Sequence, residues 1–215
     1  MAQERANASM VQHACPHCGE QVYELRAAEF LAPQTPISTG PWTAHRINHN
    51  AIIIQFDGSC HQARTPFASA GAGVAAFLIT QHSVSSLHRR SIPLPSARDA
   101  AEAEAGAACY AVQLALELAE IYPRSSYQYV IQGDNSSVVA AIAGKMRFKK
   151  RGMTLILERS RHCLTQFDPA QFEYIPREAN PTADYLAGLA SLALLKSRTT
   201  GAPIPPPSNE DTEPQ

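Results

Sequence analysis

Ile52-Ile53-Ile54-Gln55-Phe56-Asp57-Gly58-Ser59 decides the fold of this chain. It is a short apolar run, opening on three β-branched isoleucines, that closes on a carboxylate followed at once by glycine. Such a run reads as a fully buried strand over 51–57. A carboxylate at the end of a buried strand costs free energy unless it is paired or bound to metal. Asp57-Gly58 is also an ordinary turn signal. What separates the two readings is whether further acids stand at the ends of later elements.

C-terminal to this stretch, Ala68 to Ile79 is small and apolar, with Gly71 and Gly73. It reads as a second strand whose glycines let another backbone approach closely. Ser83 to Leu94 alternates imperfectly and reads as a third strand, antiparallel to the second, with a polar outer face. From Ala100 the period becomes helical and alanine is dense, until Tyr122-Pro123 stops the helix. Tyr127 to Ile131 is another short strand, followed by Gly133-Asp134-Asn135. A short helix over 136–143 takes a Ser or Asn cap. An amphipathic helix follows over 153–167, then a strand over 172–175. The final helix has Pro181 in its first turn, Asn180 as cap and Asp184 one turn in. The order βββαβααβα predicts an α/β mixed five-stranded sheet, three antiparallel strands then parallel ones, with helices on both faces.

On the N-terminal side, Cys15-Pro16-His17-Cys18-Gly19 has the form of a zinc knuckle. His45 and His49 are the sensible second pair of ligands, although the gap from Cys18 is long for a zinc finger. The expected organisation is a disordered tail at 1–12, an arm with this candidate zinc site and a Pro-rich linker at 13–49, a folded domain at 50–196 and a disordered tail at 197–215. The 215 residues are 45% hydrophobic and 17% charged, a globular balance. A net charge of −1 excludes a polycation, so any nucleic-acid binding needs a local patch. No apolar run approaches bilayer length, and the N-terminus has no secretory pattern. Five cysteines, an odd number, suit a reducing compartment, cytoplasmic or nuclear.

Asp57 and Asp134 end strands, Glu102 or Glu104 stands early in the long helix, and Asp184 opens the last one. In a mixed sheet with the first strand central, these points meet at one end. Carboxylates packed together repel and take up protons unless cations lie between them. Such a set suits Mg2+. Two ions about 4 Å apart can activate a water and stabilise a leaving oxygen in phosphodiester cleavage. Counting from Glu104, positions +3, +4, +7, +8, +11 and +12 are all apolar; from Glu102 they include Gly106, Tyr110 and Gln113. Periodicity favours Glu104. Glu102 then reads as a helix-start acid complementing the macrodipole.

Four stretches carry a resemblance: 54–59, Ala103-Glu104 with its helix, Ile131-Gln132-Gly133-Asp134-Asn135-Ser136, and 172–187 with Pro176-Arg177-Glu178-Ala179-Asn180-Pro181. In this order and at these intervals the chain resembles the type-1 ribonuclease H family in its short form, over roughly 50–196. The resemblance implies a metal-dependent endonuclease that cuts the RNA strand of RNA–DNA hybrids. It implies that Asp57 bridges two Mg2+ ions, which Mn2+ can replace. The helix acid and Asp134 complete the ion on the leaving-group side, and Asp184 the ion that activates water. The expected partner is nucleic acid, with no membrane, bound by a monomer. The alternative is a catalytically weak nucleic-acid-binding module derived from a mobile element.

The sequence departs from that family in three places, one of them the missing Asn-Asn pair before the helix acid, with Arg98 and Asp99 nearby. The histidine many members carry before the last helix has no counterpart; Arg177 and Glu178 stand there. The usual asparagines after the first Asp-Gly are replaced by His61, Gln62 and Arg64. Candidate substrate contacts are Gly58 and Ser59, whose backbone could reach a 2′-hydroxyl. The run Lys145, Arg147, Lys149, Lys150 and Arg151, interleaved with Phe148, suits phosphates.

Overall fold

The computed structural model describes residues 9–14, 21–26, 50–80, 83–149, 171–201, 203 and 208–211, with Met153, Leu157, Glu158, Ser160 and His162. The central strand is β3 (Ala51–His61). It pairs antiparallel with β4 (Ser69–Ile79), which pairs antiparallel with β5 (Val84–Pro93). On its other side β3 pairs parallel with β6 (Gln128–Gly133), and β6 with β7 (Gln171–Tyr174). Three antiparallel strands followed by parallel ones are what the sequence predicts. A parallel neighbour needs a crossover, and the long helix α1 (Ala100–Ile121) carries it from β5 to β6. Helix α2 (Ser136–Ile142) follows β6, and α3 (Pro181–Thr200) follows β7.

β3 is longer than the 51–57 expected. It is paired with β4 along its whole length, from Ala51 opposite Ile79 to His61 opposite Ser69. Asp57-Gly58 is therefore not a turn. Gly58 keeps a negative φ and serves a different purpose: a Cβ there would lie 2.2 Å from the Glu104 backbone nitrogen. The missing side chain lets α1 lie directly on the strand.

Side chains alternate between the two faces of a strand. Ile52, Ile54 and Phe56 of β3 and Ala70, Ala72, Val74 and Ala76 of β4 pack with the alanine-rich side of α1. The opposite face of β4 meets α3. A Cβ on Gly71 would lie 2.4 Å from the Ala190 Cβ, and one on Gly73 2.0 Å from the Ala183 carbonyl. The close approach expected at these two glycines is real, and its partner is α3. Helices thus cover both faces.

Three further strands extend the sheet beyond β5: β1 (Ser9–Ala14), β2 (Gln21–Arg26) and β8 (Ser208–Asp211), in the order β1-β2-β8-β5-β4-β3-β6-β7. Part of each stretch expected to be a disordered tail is thus in strands, and α3 itself runs four residues past 196. The outer edge of β5 offers the unpaired backbone groups that β8 uses. β1 and β2, which stand on either side of Cys15–Cys18 in the sequence, are antiparallel partners, Ala14 opposite Gln21. Cys15, Cys18, His45 and His49 themselves lie outside the described residues, as do Lys150 and Arg151. Of the helix expected over 153–167, the described residues are helical. Among the described residues no helix is long and apolar enough to cross a membrane.

Candidate metal centre

The site begins where two parallel strands part. β6 ends at Gly133, opposite Phe56, while β3 continues. The next residue on each chain is an acid, Asp57 and Asp134. Helix α1 supplies the third carboxylate. Because α1 rests on Gly58, Glu104 is brought to the same end of the sheet. One oxygen from each of Asp57, Glu104 and Asp134 lies within 4.8 Å of the others. Asp57 is 4% exposed and Glu104 9%.

Asp184, in the first turn of α3, stands apart from this triad. Its Oδ1 accepts from Nη2 of Arg177, in the one-turn 3-10 helix Arg177–Ala179 that precedes α3. It is still close enough for its charge to raise the proton affinity of Asp57.

Burial, reinforced by the charges of Asp134 and Asp184 and by a hydrogen bond with Asp134, pushes the Asp57 carboxyl up to about 7; Arg177 opposes this. Burial, with Asp57 and Asp134, pushes Glu104 up to about 9, against a backbone hydrogen bond from Gly58 and the charge of Arg177. The Glu104 Oε2 atom is buried with no hydrogen-bond partner. Crowded hard oxygens, an orphaned carboxylate atom and little opposing charge are what a divalent cation such as Mg2+ satisfies. The residues present therefore fit a metal.

Both shifts are upward, so the folded protein holds protons that the unfolded chain releases. This contribution to stability is complete below the ordinary carboxylate range. It is lost as pH rises through about 7 for Asp57 and on to about 9 for Glu104. We expect the melting temperature of the metal-free protein to fall between about pH 5 and pH 9, and millimolar Mg2+ to restore it and flatten the slope. Thermal melts in EDTA and in Mg2+ across that range check this. A metal-free protein that becomes more stable toward pH 9 would contradict it.

The two helix acids occupy different places. Asp99 caps α1, its Oδ1 accepting from the Glu102 N–H at 3.0 Å, while Glu102 Oε2 accepts from the Arg98 N–H at 2.6 Å. Glu102 thus closes the helix start, and Glu104 faces Asp57. Asn180 sits at the N-cap of α3 without making the cap bond expected of it. Its Nδ2 instead donates to the Phe56 carbonyl at 2.8 Å. Ser59 Oγ accepts from Ser191 Oγ at 3.3 Å. Lys145, Arg147 and Lys149 are exposed, while Met146 and Phe148 between them pack on the core. Sequence reasoning gave no structural part to Gln55, Gln132 or Asn180 beyond the cap. Their one visible signal was two buried amides, each two residues ahead of an acid.

A sequence model described as reverse transcriptase-like matches residues 55–190. No curated protein matches the chain. Among solved structures, the chain is similar to the N-terminal ribonuclease H domain of a Mycobacterium tuberculosis protein, at 22% identity and a TM-score of 0.56, covering 69% of this chain and 98% of that one. Ribonuclease H1 of the archaeon Halobacterium salinarum gives 22% identity and a TM-score of 0.50, over 65% of this chain and 96% of that one. A compost-derived ribonuclease H1 solved in complex with an RNA/DNA hybrid gives 21% and 0.51, over 65% and 96%.

Proposed function

The chain belongs to the reverse transcriptase-like family and has the ribonuclease H fold, and from that premise we propose that it is a metal-dependent endonuclease cutting the RNA strand of RNA–DNA hybrids. One observation carries the reading: three buried or half-buried carboxylates converge on one point, and Glu104 Oε2 has no partner there. Asp57, Glu104 and Asp134 would hold one Mg2+, and Asp184 with Asp57 a second. Bound Mg2+ supplies charge neutralisation and a water of lowered pKa. The protein's own part is to position the acids within β3, just after the end of β6 and on two helices. The strip Lys145, Arg147 and Lys149 would hold phosphates. Met146 and Phe148 pin the backbone to the core and leave the cations outward.

The test is a labelled RNA–DNA hybrid incubated with Mg2+, beside duplex DNA and duplex RNA. Cleavage of the hybrid's RNA strand by wild type and not by Asp57→Asn is the expected result; equal rates sink the reading. Replacing Lys145, Arg147 and Lys149 with alanine is expected to weaken hybrid binding about tenfold or more at low salt. It should also flatten the salt dependence by roughly three phosphate contacts. Titrations at several salt concentrations check this.

A second reading, a catalytically weak nucleic-acid-binding module, is favoured by the engagement of Asp184 with Arg177. Hybrid binding without cleavage in the same assay would select it.

A further inference from the structure

We infer that Gln55 and Gln132 are positioning residues: a buried amide relay that fixes the Arg177–Asn180 turn, and through it Asp184, against Asp57. Gln55 is 4% exposed and Gln132 2%. They sit opposite each other on β3 and β6, and Gln132 sits opposite Glu173 on β7. Their side chains bond along this row. Gln132 Nε2 donates to Glu173 Oε2 at 3.3 Å, and Gln55 Nε2 donates to Gln132 Oε1 at 3.3 Å. The relay leaves the sheet at one point, where Gln55 Nε2 also donates to the Ala179 carbonyl at 3.2 Å.

That point is the turn carrying Arg177. The turn is one 3-10 helix of three residues with no side-chain cap bond. Among the described residues, two side-chain bonds tie it to the sheet: Gln55 to the Ala179 carbonyl, and Asn180 Nδ2 to the Phe56 carbonyl. The next helical turn hangs from this pair, since the Asp184 N–H donates to the Asn180 carbonyl at 3.1 Å. A slack turn would let Arg177 and Asp184 drift together while the three-acid cluster stayed intact.

An ordinary reading of two buried glutamines is that they merely satisfy each other. That reading leaves the Ala179 bond unexplained and predicts only a loss of global stability. Gln55→Met keeps volume and burial but removes the donor. Gln132→Met removes the far half of the relay and should act in the same direction more weakly. Ser91→Ala is the control: Ser91 Oγ donates to the Leu186 carbonyl at 2.8 Å, tying α3 to β5 away from the turn.

The primary readout is backbone amide exchange on the full metal-free chain. It requires neither metal nor activity. In Gln55→Met, exchange at Ala179, Asn180 and Asp184 should rise about tenfold, with little change in Ser91→Ala. Unchanged exchange in both glutamine variants, or an equal rise in Ser91→Ala, overturns the inference.

The kinetic arm rests on the nuclease reading above. There Gln55→Met should lower kcat about tenfold with KM within about twofold. A change in KM alone counts against positioning. A wild-type chain that cleaves nothing defeats the nuclease reading, and the exchange experiment still decides the relay.

Discussion

Asp57→Asn is expected to abolish Mg2+-dependent hybrid cleavage and, at the same time, to make the metal-free protein more stable above pH 6. The first effect follows from position. Asp57 is the acid on the central strand, within reach of Glu104 and Asp134 and close enough to Asp184 to feel its charge. If it is the ligand both ions share, its loss removes several kcal/mol of charge stabilisation, at least about a thousandfold in kcat. The second effect follows from the same crowding. Burial and two neighbouring carboxylates push Asp57 up to about 7, so near neutrality its negative charge opposes folding. A neutral amide of the same shape removes that repulsion and eases Glu104, whose proton affinity Asp57 helps to raise. A gain on the order of 1–3 kcal/mol in EDTA is expected above pH 6. It should vanish near pH 4, where the wild-type carboxyl is already protonated. Urea unfolding at the two pH values, with and without Mg2+, separates the effects: the variant should gain little from Mg2+. A variant less stable than wild type at pH 8 in EDTA would show that the acids are compensated in some other way.

Gly58→Ala should do the reverse, damaging fold and site together. The added Cβ would lie 2.2 Å from the Glu104 nitrogen, 2.3 Å from the Ala103 carbonyl carbon and 2.5 Å from the Glu104 Cα. All three are helix backbone, so no side-chain rotation relieves the clash. Helix α1 must lift off β3, and with it goes the alanine face buried against Ile54 and Phe56. A loss of about 3 kcal/mol or more is expected, together with loss of tight Mg2+ binding as Glu104 withdraws. Gly188→Ala in α3 is the contrast. A Cβ there meets nothing within 4 Å, so the change should stabilise by about 0.5–1 kcal/mol through helix propensity alone. Denaturant midpoints for the two variants check both signs. A Gly58→Ala protein with wild-type stability and Mg2+ affinity would mean that α1 does not rest on the strand.

These two glycines mark the boundary between what could be read along the chain and what could not. Apolar runs and β-branching identified strands β3 to β7, and the alanine period identified α1. The same period favoured Glu104, the acid brought to Asp57, because helix register is a local property. The close approach at Gly71 and Gly73 was legible for a similar reason: glycines inside an apolar strand have few other uses. Asp57-Gly58 stayed ambiguous as a turn signal because the local cue is the same for a turn and for a helix packed on a strand. Only the presence of α1 tells them apart.

The C-x2-C arm and the cations at 150 and 151 stay with their sequence expectations, since those residues lie outside the described part of the chain. The relay of Gln55, Gln132 and Glu173 and the tether from Asn180 to β3 joins residues 41 to 124 positions apart, a distance no period reports.

By itself the sequence determined the elements of the central five-stranded sheet and its helices, their order, the family resemblance and the four candidate acids. Propensity, periodicity and motif spacing are all written along the chain. The tertiary structure alone decided that Asp57 lies within its strand and that Glu104 meets Asp57 and Asp134. It also decided that Asp184 is held by Arg177 on a turn tied to the sheet. Each depends on where separate elements come to rest, which side-chain volume and hydrogen bonding settle only when the chain is folded.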